Sequence, residues 1–387
     1  MNTNPSLLTW SEKDTERNAL WRADQNLPAR VVLADDTLTA DAAYRLACEG
    51  TGLLWRGDFQ NARQLLQAMA RRIDKPQKTK RKKADATAPL PGAAFHTHRQ
   101  AQAQRTRVLS QVLIELNGDY GIALRRAPDA KQACAQAFGP ATGEASVISL
   151  RALQGVIGAF EWRKNGVELP ALGEDLRIYP HYGVFSPVRG EYVGLVAKAP
   201  LPAALKEHSV AFDIGVGTGV LSAVLARRGA KQVVATDLAE RALACARDNL
   251  QRLGLQNQVQ LLQADLFPPG QAALVVCNPP WLPARPTSVL EQAVYDEGSQ
   301  MLKGFLAGLK AHLCEGGEGW LILSDLAEHL GLRTREALLG WIADAGLQVL
   351  GRMDVKPVHG KAQDATDPLH AARAAEVTSL WRLGAGH

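Results

Sequence analysis

The stretch that most limits what this chain can become is residues 211–220, AFDIGVGTGV, where an apolar run breaks into glycines at Gly215, Gly217 and Gly219 and resumes as a helical pattern. A strand that turns so tightly into a helix needs residues without a Cβ, and the amides at the helix start then face whatever lies over the turn. From Val210 onward short β-branched runs alternate with helical segments, the pattern of a parallel sheet with crossover helices. The reading predicts strands at Val210–Gly215, Gln232–Leu238, Val259–Phe267, Ala272–Asn278, Gly319–Ser324, Leu347–Val355 and Glu376–Leu383. Helices fall at Gly219–Arg228, Arg241–Leu253, about Val289–Leu313 and Thr334–Ala345. The last two strands have no helix between them and are expected to pair antiparallel. The fold class is therefore α/β, a seven-stranded doubly wound sheet with a terminal antiparallel pair, occupying residues 176–387.

At 387 residues the chain is long for one domain, so a second is expected. Residues 1–175 read as a mainly helical accessory domain that recognises the substrate. Helical patterns cover Thr39 to Ile73, Gln102 to Leu116, and a segment opened by Pro128 and closed by Gly139. A short strand-like run, YGIALRR, lies between the last two. Asn165-Gly166, flanked by alternating residues, reads as a hairpin turn. Between Arg71 and Lys83 stand eight basic residues against one acid, Asp74, in a chain of net charge +5, so the rest is slightly acidic. One basic tract, not a uniformly basic surface, is what the charge describes. Residues 71–94 read as a solvated, flexible loop, with a phosphate-backbone grip as the functional alternative.

No apolar run reaches the roughly eighteen residues of a membrane helix. The acidic start, with Glu12, Asp14 and Glu16, is unlike a secretory signal. The five cysteines are scattered and never spaced C-x-x-C, which points away from a disulfide framework or zinc knuckle and toward a reducing cytoplasm.

A glycine turn alone says little; Asp237 at the end of the next predicted strand, in VVATDL, strengthens it. A carboxylate there can accept two hydrogen bonds from a ribose diol, or cap the following helix, where Glu240 completes a capping-box pattern. A nicotinamide enzyme would want a small third residue where this chain has Val220. With Asp213 two residues ahead of the glycines, residues Val184 to Leu383 resemble class I S-adenosylmethionine-dependent methyltransferases, whose sheet is the Rossmann-like one described. The resemblance implies that Asp213 helps to place the methionine end of S-adenosylmethionine, that Asp237 holds the ribose, and that Asp265, in QADLF, reaches the adenine.

The fourth predicted strand, ALVVCNPPW, ends in Asn278, Pro279, Pro280 and Trp281. In an open α/β sheet ligands bind beyond the carboxyl ends of the strands, so this tetrapeptide is expected at the cofactor crevice. An amide or exocyclic aryl amine is a poor nucleophile because its nitrogen lone pair is delocalised. The Asn278 side-chain oxygen and the Pro279 carbonyl can each accept one N–H, freeing the lone pair and aiming it at a sulfonium methyl. Trp281 is expected to stack on the planar substrate. A strand-ending turn and simple hydrophobic packing are the structural alternatives.

An NPP-aromatic motif is shared by enzymes that methylate base amines and by those that methylate glutamine side chains. Two further stretches resemble the release-factor glutamine methyltransferases: RGEYVGLV, with Arg189 and Glu191, and VYDEGSQML, with Tyr295. Trp281 departs from that group's tyrosine, and a long insert separates the last two strands. The insert holds His359, Asp364, Asp367 and His370 in no standard metal spacing and reads as a polar substrate-side loop; no metal is expected. Cys277 reads as a buried small hydrophobe, and His96 and His98 as surface residues. The function read from the sequence is N-methyl transfer to a planar amide or amine of a macromolecule, a protein glutamine side chain first. An RNA or DNA base, adenine or guanine, is the alternative, and a non-catalytic S-adenosylmethionine-binding subunit is the alternative of another class.

Overall fold

The computed structural model describes residues 6–22, 26–75, 92–187, 190–286, 290–357 and 367–386. Contacts divide the chain into two compact units, residues 1–89 with 96–161, and residues 90–95 with 162–387.

The first unit is not mainly helical. It is α/β, built on a six-stranded sheet. Strands β1 (Leu7–Glu12), β2 (Thr15–Trp21), β3 (Arg30–Ala34), β4 (Thr51–Trp55), β5 (Val112–Leu116) and β6 (Ser146–Ser149) lie in the order β1-β2-β6-β5-β4-β3. β3, β4 and β5 run parallel, while β6 is antiparallel to β5. The helical pattern of Thr39–Ile73 holds α1 (Ala40–Cys48) and α2 (Phe59–Asp74), and the segment opened by Pro128 is α4 (Lys131–Phe138). The helix read at Gln102–Leu116 is α3 (Ala93–Leu109), which ends early because Val112–Leu116 is strand β5. Thr39 and Asp58 cap α1 and α2 through their side chains.

The strands escaped notice for physical reasons. β4 and β6 are buried at every position, so they show no alternation to separate them from a core helix turn. The β1–β2 hairpin turns on Lys13 and Asp14, both at positive φ, with none of the Asn-Gly chemistry that marks such turns. YGIALRR forms no strand, because Tyr120 and Arg126 both sit at positive φ and Arg125 and Arg126 turn in to bond the buried Asp58 at 2.7 Å each.

A helix, α5 (Leu150–Asn165), runs across the boundary between the units, ahead of the division read at residue 175. Asn165-Gly166 is not a hairpin turn but the end of α5. Gly166 takes the left-handed conformation at φ 67° and donates to the Trp162 carbonyl at 2.9 Å. The strands that follow, β7 (Val167–Glu168) and β8 (Arg177–Ile178), pair with each other, and Leu169, Leu172 and Ile178 join the second unit's core.

That core belongs to a seven-stranded sheet made of β9 (Val210–Ile214), β10 (Gln232–Asp237), β11 (Val259–Gln263), β12 (Ala272–Cys277), β13 (Leu313–Ser324), β14 (Leu347–Val355) and β15 (Thr378–Ala385). The order is β11-β10-β9-β12-β13-β15-β14. The first five strands are parallel, and β15 runs antiparallel to both neighbours. Helices α6 (Glu191–Lys198), α7 (Val220–Arg227) and α8 (Glu240–Arg252) contribute to the apolar cluster on one face. α9 (Gln300–His312) and α11 (Arg335–Asp344) contribute to the cluster on the other; the short α10 (Leu326–His329) and α12 (His370–Ala375) flank the strand ends. With both faces covered, β12 is buried at every residue, as a central parallel strand requires. The chain builds outward from β9 through β10 to β11, then returns to place β12 on the other side of β9. That reversal opens a crevice beyond the carboxyl ends of β9 and β12.

Candidate active site

The crevice is a cleft of roughly 1250 Å³, lined at the strand ends by Gly215, Gly217, Asp237, Asp265, Asn278, Pro279, Pro280, Trp281 and Tyr295. Residues scattered through more than eighty positions of sequence thus face one cavity.

After β9 the chain turns through Gly215 and Gly217, at φ 79° and 51°, a region costly to side-chain-bearing residues. A Cβ on Gly215 would stand 2.9 Å from the Met301 methyl. Gly219 (φ 81°) does not line the cleft; its Cβ would meet Ala246 of α8 at 3.2 Å. It therefore allows α7 to start close against α8. Asp213 does not line the cleft either. Its side chain is 1% exposed and accepts from the Ser222 hydroxyl of α7 at 2.5 Å. Burial pushes the Asp213 carboxyl up to about 6. Its link to the glycine turn therefore runs through α7.

Asp237 closes the turn from the next strand. One carboxylate oxygen accepts from the Gly217 amide at 3.2 Å and the other from the Ala239 amide at 2.9 Å. Burial raises its pKa above the usual carboxylate value. The capping-box alternative does not form, since Ala239 is the residue that caps α8 and it has no side-chain bond to offer. Beside Asp237, Leu238 is 63% exposed along the cleft wall. Asp265 reaches the cleft from a loop whose next residue, Leu266, is left-handed at φ 65°; the Thr236 hydroxyl holds the Leu266 carbonyl.

At the end of β12, Asn278 accepts the Trp281 indole N–H at 2.9 Å. Trp281 is half-buried and packs against the apolar clusters of both sheet faces. Leu282 is tied down by its own amide to the Val294 carbonyl at 3.1 Å and by its carbonyl to the Asp296 amide at 2.9 Å, which brings Tyr295 to the cleft. Asp296, 9% exposed, then accepts from the Met301 and Leu302 amides at 3.2 Å each and so caps α9, where an anion also suits the helix dipole. Cys277 is fully buried, and burial pushes its thiol up, which leaves it as inert packing.

Of the other residues singled out from the sequence, Glu191 opens α6 outside the cleft, whereas its neighbour Tyr192 lines it. Arg189 lies outside the described residues, as do His359 and Asp364. Asp367 bonds the Leu369 amide and pairs with Arg373 at 2.8 Å each. Among the described residues no group of three or more His, Cys, Asp or Glu could hold a metal ion. Of the basic tract, Arg71 and Arg72 belong to α2, Arg72 pairs with Asp41 at 2.7 Å, and residues 76–91 lie outside the described residues.

Cleft residues that sequence reasoning missed are Phe185, Leu238, Met301, Arg373 and Glu376. Leu238 had a signal, an apolar residue directly after the strand-end acid. Glu376 had none: it is brought in from the end of the insert and accepts the Ser324 hydroxyl at 2.7 Å.

Residues 175–333 match the family described as methyltransferase small domain. The release factor glutamine methyltransferase of Cereibacter sphaeroides is 30% identical over 41% of this chain and 58% of its own length. The ribosomal protein L11 methyltransferase of Pelotomaculum thermopropionicum is 32% identical over 35% and 50%. The tRNA1(Val) (adenine(37)-N6)-methyltransferase of a Shewanella species is 29% identical over 46% and 74%. The chain therefore spans less than two thirds of the first two of these relatives.

Proposed function

We propose, for a chain whose residues 175–333 match the methyltransferase small domain family, that it transfers a methyl group from S-adenosylmethionine to a planar amide or amine nitrogen of a macromolecule. The observation that carries this is the meeting of a cofactor-type turn and the Asn-Pro-Pro-Trp strand end in one cleft.

The residues present fit S-adenosylmethionine. Glycines at positive φ let backbone approach it closely. The Asp237 carboxylate retains lone pairs for a ribose diol, Leu238 offers the adenine an apolar face, and Asp265 lies within the same wall. Asp213 acts indirectly, by fastening α7 beneath the turn through Ser222. When bound, the cofactor supplies an electrophilic methyl. The protein's part is to orient the nucleophile: Asn278 Oδ1 and the Pro279 carbonyl accept its two N–H groups and turn its lone pair toward the methyl. Before transfer no strong base is required, because the protonated product is acidic enough to lose its proton to water.

The favoured substrate is a glutamine side chain of a protein, in keeping with the RGEYVGLV and VYDEGSQML segments and with the glutamine-specific relative. A nucleic-acid base is the second reading. It is favoured by the basic tract and by the relative that acts on tRNA adenine, and it would require the base to be splayed into the cleft. The test is transfer of labelled methyl from S-adenosylmethionine into cell lysate, split into nuclease-treated and protease-treated halves. Label lost only with protease supports the protein reading, and label lost only with nuclease replaces it with the base reading. No transfer to any fraction would count against a catalytic role.

A further inference from the structure

A carboxamide is nearly symmetric in shape and opposite in chemistry at its two ends, one accepting and the other donating. If Asn278 is to hold an N–H of the nucleophile, its oxygen must face that nitrogen. Turned over, it would set a donor against a donor. An indole N–H only donates, so the 2.9 Å contact from Trp281 Nε1 to Asn278 admits the oxygen alone. The indole is itself anchored, between the apolar clusters of both sheet faces and ahead of the doubly bonded Leu282.

We propose that Trp281 is a positioning residue that locks the Asn278 carboxamide in its accepting orientation. The proposal rests on the methyl-transfer reading of the cleft. A carbonyl oxygen has two lone pairs. The indole occupies one, leaving the other for a single N–H of the nucleophile and obliging the second N–H to use the Pro279 carbonyl. A tyrosine here could donate or accept and so tolerate either orientation; a phenylalanine could do neither. The tryptophan is thus the stricter device for the same task.

The test replaces Trp281 with 3-benzothienylalanine, which keeps the shape and the ring face and lacks the N–H. Labelled-methyl transfer into lysate is measured while S-adenosylmethionine is varied. The maximal rate should fall about three- to tenfold, the range of one net hydrogen bond, with the KM for S-adenosylmethionine unchanged. An unchanged maximal rate overturns the proposal and leaves Trp281 as packing or stacking surface. A double-mutant cycle adds an independent check. A carboxylate accepts at both oxygens and has no wrong orientation, so the loss caused by the benzothienylalanine substitution should vanish in the N278D background; an equal loss in both backgrounds overturns the proposal. Full transfer by N278A is a different failure, because it removes the role given to Asn278 and with it the methyl-transfer reading of the cleft.

Discussion

Three acids that precede or follow the glycine turn look alike in the sequence and do different things. Asp237 faces the cleft with both oxygens held by amides, Asp265 sits on its exposed wall, and Asp213 is sealed beneath α7 with Ser222. D237A should therefore weaken S-adenosylmethionine binding at least tenfold by calorimetry. N278A should leave that affinity within about twofold while lowering the transfer rate a hundredfold or more, on the order of one lost transition-state donor or acceptor. Were N278A to lose the cofactor instead, the division of labour drawn here would be wrong. Asp213 makes a pH prediction. Its folded pKa, pushed by burial to about 6 from the ordinary carboxylate value of 3.8, means that the folded state binds the extra proton between those values. Stability must then fall as pH rises from about 4 to about 6 and level off above. D213N should flatten that part of the profile; urea titrations at pH 4, 5, 6 and 7 measure it, and an unchanged slope would show the group to be ordinary.

At the scale of elements, the start of α9 is decided by a single side chain. Asp296 caps α9 through the Met301 and Leu302 amides, at the base of the segment that carries Tyr295. D296A should cost about 1 kcal/mol of stability and raise the apparent KM for the methyl acceptor more than that for the cofactor. A purely global destabilisation would move neither. In the first unit the β1–β2 turn forces Lys13 and Asp14 to φ of 52° and 60°. Replacing them with Asn and Gly, which accept that geometry freely, should raise stability by about 1 kcal/mol; a lower melting temperature would mean that the hairpin is not paired as described. The Gly166 helix end makes the converse point, for Asn-Gly is written the same way in a hairpin and at a helix C-terminus. Only the chain after it decides, and here two residues of β7 are too few to return along α5.

At the scale of the whole molecule, the cleft lining falls within the second unit, so the cofactor is expected to stabilise that unit. S-adenosylmethionine at a hundred times its Kd should stabilise the unfolding transition of residues 162–387 by about 2.7 kcal/mol, and D237A, binding at least tenfold more weakly, should cut the shift to about 1.4 kcal/mol or less at the same concentration. Scanning calorimetry with and without the cofactor reads both; an undiminished shift in D237A would place the cofactor elsewhere. Among the described residues no helix is long and apolar enough to cross a membrane.

What the amino-acid order determined by itself was the local grammar of residues 210–385. The first strands there, β9 and β10, are short, apolar and each followed by a helix with its own period, and the ends of β9, β10 and β12 are marked by a glycine, an acid and a proline pair. Those are near-neighbour effects, and sequence carries them directly. In the six-stranded sheet of the first unit, β4 and β6 were hidden by burial at every position, so their identity depends on partners far along the chain, and the β1–β2 hairpin was hidden by a turn without Asn-Gly chemistry. The same holds within the cleft. That Asp213 lies under the turn and Asp237 in it, that Glu376 arrives from an insert, and that the Trp281 indole meets the Asn278 oxygen are consequences of strand order and side-chain packing. Local chemistry named the candidates; only the closing of the sheet decided which of them face one another.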